Sequence, residues 1–90
     1  MLQVTTAALD RLATKLAHKK TTDASTLRFS RKPGGWKLHL DEARPDDSLF
    51  VHDGQKVLVL DGEVLEAMTN FKLDVRNTDV GPRLRLSDQA

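Results

Sequence analysis

Fourteen basic and thirteen acidic side chains in 90 residues leave a net charge of +1. So balanced a chain exerts no global pull on nucleic acid or anionic lipid, and no apolar run approaches the ~20 residues that span a bilayer. The sequence has no cysteine, which excludes disulfides, thiolate metal sites, thiol nucleophiles and thiol-based redox switching.

An apolar content of 39% is enough for one core. A chain of this length buries roughly two thirds of its unfolded surface as one domain, here residues 1–90. The start, Met1-Leu2-Gln3-Val4-Thr5, has no basic region leading into an apolar stretch. The expectation is a cytoplasmic protein without a signal peptide.

Leu2–Val4 offers a short pairing segment, and Thr5 is placed to cap the free amides of a first helix. Leu9, Leu12, Ala13 and Leu16 recur at i, i+3, i+4 and i+7 and form its apolar stripe. His18, Lys19 and Lys20 put cations at the negative end of the helix dipole. Thr21 to Ser25 is polar and reads as a loop.

Two strands follow. Leu27 and Phe29 share one face of Leu27–Lys32, and Trp36, Leu38 and Leu40 share one face of Trp36–Asp41. Pro33-Gly34-Gly35 fits a tight hairpin connection in which at least one glycine takes positive φ. Glu42 to Ser48 is a polar loop, and Asp53-Gly54 joins Leu49–His52 to Lys56–Leu60 as a second hairpin. Val57-Leu58-Val59-Leu60 is apolar on both faces, as a central strand is.

Asp61 caps a shorter helix running to about Met68, with Val64, Leu65 and Met68 as its stripe. Asn70 is expected in the left-handed position that ends it. Phe71, Leu73 and Val75 alternate with charged residues in a half-buried strand. A turn at Asn77–Pro82 leads to a final strand holding Leu84 and Leu86. Helix, four strands, helix and two strands predict a mainly β, α+β domain: a compact core of short, mostly antiparallel strands with a packed N-terminal helix.

Leu27-Arg28-Phe29-Ser30-Arg31-Lys32-Pro33-Gly34-Gly35 resembles the start of the first ligand loop of the HesB-like proteins, the A-type iron–sulfur carriers. Val4-Thr5-Thr6-Ala7-Ala8 is similar to that family's opening pattern. Arg44-Pro45-Asp46-Asp47, then Phe50, Asp53-Gly54 and Val57-Leu58-Val59, resembles its acidic loop and hairpin. Asp61 stands at its pre-helix aspartate, allowing a one-residue shift. Leu73-Asp74-Val75 and Leu84-Arg85-Leu86 look like its last two strands. The resemblance spans essentially the whole chain and implies the HesB-like fold.

It also implies a lost activity. The family ligates its cluster with a cysteine after the double glycine and a close pair in a C-terminal tail, because soft anionic sulfur matches iron. Here Gly35 passes directly into Trp36-Lys37-Leu38-His39-Leu40, and Ser87-Asp88-Gln89-Ala90 falls about where the C-terminal pair would begin. No ligand position carries over, so no cofactor is expected.

Other constellations admit both a functional and a blander account. His39 and His52 lie on neighbouring hairpins, and Asp41 shares a strand face with His39, which makes these three an alternative metal site. They are also outward polar positions of alternating strands, and no short His-x-x-x-His spacing supports them. Arg28, Lys32 and Lys37 should share the outer face of the first hairpin, with Arg31 near its turn. They form the expected partner-binding surface, or else a solvated face that limits edge aggregation.

Trp36 is either an exposed anchor for a partner or a core residue beside Leu38 and Leu40, and the clean alternation favours the core. With the aromatic residues on core-like positions, a stacking platform for bases is not expected. Gly34-Gly35 lacks the helix and lysine of a phosphate loop. Asp41, Glu42, Asp46 and Asp47 read as a solvated acidic loop with nothing apolar to raise a pKa, and the serines sit in no nucleophile motif. The sequence thus predicts no catalytic residues. The expected protein is a non-catalytic interaction module with an unidentified protein partner, and nucleic acid and membrane are not expected partners.

Overall fold

In the computed structural model, which describes residues 2–88, the chain runs β1 (Gln3–Val4), α1 (Thr6–Lys19), β2 (Ser25–Lys32), β3 (Gly35–Glu42) and β4 (Ser48–His52). It continues through β5 (Gln55–Leu60), α2 (Gly62–Ala67), β6 (Phe71–Thr78) and β7 (Gly81–Asp88). One sheet has the order β3-β2-β5-β4 and the other β1-β6-β7. The three hairpin pairs are antiparallel; β1–β6 and β2–β5 are parallel. This is the mainly β, α+β arrangement that the element order predicts.

The helix starts where its cap dictates. Thr5 Oγ1 accepts from the Ala8 amide at 3.1 Å and donates to Asp74 Oδ1 at 2.8 Å. The Thr5 amide donates to the Leu73 carbonyl at 3.1 Å. One residue therefore begins α1 and fastens it to β6. Ala8, Leu12 and Leu16 are buried along α1, with Leu9 and Ala13 at the margin of the stripe. Asp61 caps α2 by accepting from the Val64 amide at 2.9 Å.

The core lies where α1 meets both sheets. Val57, Leu58, Val59 and Leu60 are each 0% exposed, as expected of a strand flanked on both edges and covered on both faces. Leu12, Leu27, Phe29, Met68 and Leu73 join them.

The hairpins follow their turn residues. β2 and β3 pair antiparallel from Ser25↔Glu42 to Lys32↔Gly35, so only Pro33 and Gly34 connect them. Proline holds φ negative and forbids the mirror-image turns that hairpins favour. The positive φ falls instead on Gly35, at +115°. At the next hairpin Asp53 (φ 51°) and Gly54 (φ 78°) take the doubly left-handed turn that Asp-Gly favours.

Two local expectations are corrected. Asn70 is not left-handed: among the described non-glycine residues only Asp53 has positive φ, and α2 ends at Met68 with φ −98°. Ser25 is not loop but the buried first residue of β2, its Oγ accepting from the amides of Thr21 and Thr22.

Candidate functional site

Three regions hold the side chains that the sequence singles out: the outer face of β2–β3, the turn beside it, and the space between the two sheets.

The outer face does not carry a basic patch. Lys32 and Lys37 are exposed there, but Arg28 is 3% exposed and closed over by residues 43–47. Its Nε donates to Asp41 Oδ2 at 2.8 Å, its Nη1 to Asp47 Oδ1 at 3.0 Å, and its Nη2 to Asp47 Oδ2 and to the Glu42 carbonyl. Asp47 in turn accepts from the Arg44 amide at 2.7 Å, and the Asp47 amide donates to the Arg44 carbonyl at 3.0 Å. The loop is thereby closed on itself and pinned to the sheet.

Arg28 is thus removed from the expected partner surface. The solvated reading of the acidic loop is corrected with it, because the Asp47 side chain is 3% exposed. Hydrogen bonds from Arg28 hold the Asp47 carboxyl below its ordinary pKa. Asp41 is lowered first by the Glu42 amide at 2.8 Å and then by Arg28. A cation with this many satisfied donors is a structural clamp, since leaving it buried and unpaired would be costly.

The histidines lie elsewhere. His39 Nε2 is 2.7 Å from Ser30 Oγ across the β2–β3 ladder. His52 Nε2 stands 3.7 Å from Asp10 Oδ1 and 3.5 Å from Asp53 Oδ2. Asp41 is occupied by Arg28 and Arg44. The structure does not bring His39, His52 and Asp41 together, and no group of three potential ligands occurs among the described residues.

The third region is a groove of about 480 Å³ between the first hairpin, α1 and β6–β7. Phe29, Trp36 and Leu38 form one wall, and Leu84 and Leu86 the other. Arg11 and Lys15 from α1 and Arg83 from β7 also line it, and no acidic residue does. Burial lowers the Lys15 pKa, reinforced by the nearby charges of Lys19, Arg11 and Arg83. Arg11 Nε is buried without a hydrogen-bond partner. Arg31 lies 5.1 Å from the centroid of the Trp36 ring, a cation–π contact.

Trp36 is therefore neither the bare anchor nor the sealed core residue weighed from the sequence. It is half-buried, with one side on the core and one on the groove. The helical pattern of the sequence marks only the apolar stripe of α1, and Arg11 and Lys15 lie off that stripe. Their i, i+4 spacing was the available signal.

Residue 36 also bears on cluster chemistry. Gly35 leads directly into Trp36, with no intervening loop. Indole carbon, guanidinium and ammonium groups cannot ligate iron. The residues at this turn and groove do not fit an iron–sulfur cluster.

Two solved structures are similar to this chain. The first is Escherichia coli SufA, involved in biosynthesis of iron–sulfur clusters, at 26% identity and a TM-score of 0.69, over 99% of this chain and 87% of that one. The second is IscA, solved with a 2Fe–2S cluster, at 21% identity and a TM-score of 0.59, over 98% and 85%. No family model matches the chain. No curated protein matches it.

Proposed function

We propose that this chain, which has the HesB-like fold of the A-type iron–sulfur carriers and no cysteine, is a non-catalytic protein-interaction module related to iron–sulfur cluster assembly. The observation that carries the reading is the turn at Gly35. The fold is kept on both sides of it, while the residues there and in the adjoining groove offer no soft anionic ligand. Retaining a fold without its ligand chemistry leaves its surfaces as the means of action.

A protein partner agrees with the near-neutral charge and with the three phenylalanines lying in or against the core rather than on an exposed basic face. Among the described residues no helix is long and apolar enough to cross a membrane. We place the module in the cytoplasm, where cluster-assembly partners would be met.

Anaerobic reconstitution with iron and sulfide tests the first half: no protein-bound cluster absorbance should survive desalting, and a stoichiometric cluster would overturn the reading. Affinity capture from the native cell tests the second. A specific protein should co-purify in stoichiometric amounts, and a purely monomeric, unaccompanied chain would argue against it.

A further inference from the structure

We infer that the groove between the two sheets is the docking site for an extended, acidic segment of a partner protein, with aliphatic side chains set against Trp36 and Leu84 and carboxylates against Arg11, Lys15 and Arg83. This deepens the interaction reading above and rests on it.

Charge complementarity carries the choice of occupant. Three cationic residues line the groove with no acid among its walls. None of the three has an ion-pair partner among the described residues, in contrast to Arg28, which is saturated. Three nearby cations repel one another; the Lys15 pKa is lowered first by burial and then by the charges of Lys19, Arg11 and Arg83. An anionic occupant relieves all of this. The apolar walls require that it also carry hydrocarbon.

Topology favours an extended peptide over a compact small molecule. The wall residues Trp36 and Leu38 belong to β3, and Arg83, Leu84 and Leu86 belong to β7. Both strands are edges of their sheets. Edge strands present a row of backbone donors and acceptors, and proteins commonly recognise extended peptides by adding them to such edges. Pairing with an edge sets alternate side chains of the peptide toward and away from the walls. An alternating aliphatic–acidic segment satisfies both the hydrocarbon and the cations.

Trp36 is the only tryptophan and lines the groove, so its emission reports occupancy directly. The probe is a blocked peptide of about eight residues alternating leucine or valine with glutamate, roughly the length of an ordinary strand. The expected result is a saturable change in Trp36 emission that weakens as salt rises. The same peptide with lysine in place of glutamate should bind at least tenfold more weakly. That comparison uses the unmodified protein and does not depend on any variant folding.

Arg11→Glu combined with Arg83→Glu, checked for native far-UV circular dichroism, should reverse the preference between the two peptides. Equal binding of both peptides, or tighter binding of decanoate than of the acidic peptide, overturns the inference. So does an emission change that follows protein concentration without peptide, because a second copy would then fill the groove. If a protein captured from cells still binds the double variant at full strength while the peptide does not bind at all, the groove inference fails and the interaction reading stands.

Discussion

Replacing Asp47 with asparagine should destabilise this protein by about 2–3 kcal/mol, just below what removing one member of a fully buried ion pair costs. The side chains of Arg28 and Asp47 are 4% and 3% exposed. Asp47 takes two guanidinium N–H groups and the Arg44 amide. The full ~3–5 kcal/mol penalty of breaking such a pair is not expected. Arg28 keeps Asp41 at 2.8 Å and the Glu42 carbonyl at 3.2 Å, and the asparagine carbonyl still accepts one bond.

A domain of this size has ~5–9 kcal/mol in total, so the variant should fold. With a urea slope of ~1 kcal/mol/M for a small protein, its midpoint should fall by about 2–3 M, followed by Trp36 emission and circular dichroism. Replacing both Arg28 and Asp47 with leucine should recover much of the loss, because no charge is then left buried.

Acid gives an independent reading of the same clamp. Asp41 and Asp47 are both held below their ordinary value of 3.8 in the folded state. The unfolded chain therefore binds their protons first as pH falls. The stability they confer is complete above the unfolded value, begins to decline as pH drops through it, and is gone once the lower folded values are passed. Wild type should lose stability steadily below about pH 4, and Asp47→Asn should lose less over the same range. A cost under about half a kcal/mol, together with an acid profile unchanged by the substitution, would refute the clamp.

Two further substitutions probe the framework. Leu58→Ala removes a fully buried side chain from the strand at the centre of the core and should cost ~2–5 kcal/mol; a loss under about half a kcal/mol would contradict its place there. Gly35→Val should cost about 1 kcal/mol or more, because a side chain at φ +115° is strained although the surrounding space is open. Lys37→Ala on the same strand is exposed and should be nearly silent in the same melt.

The parts of this fold that local chemistry controls were readable from the chain. Thr5 and Asp61 cap helices because their side chains reach amides three residues on. Asp53-Gly54 and Pro33-Gly34-Gly35 turn the chain because of their φ preferences. Val57–Leu60 is central because a strand apolar on both faces has nowhere else to go. The resemblance of the segments around Gly35 likewise pointed to the HesB-like fold that the similarity to SufA bears out.

Arg28 marks where that legibility stops. Alternation placed it on the face opposite Leu27 and Phe29, and that is where it lies. Periodicity assigns a face but does not say what covers it. Residues 43–47 fold back over this one, turning an expected surface cation into a buried clamp and a loop of acids into its counter-charges. The groove arises the same way. Arg11 and Lys15 are polar flank in the helix pattern, and Arg83 is polar flank in the strand pattern, at opposite ends of the chain. Only the packing of α1 between two separate sheets brings them to one cavity beside Trp36. Short-range preferences are encoded within a few residues; the burial and the company of a charge depend on contacts between distant segments, which no local pattern specifies.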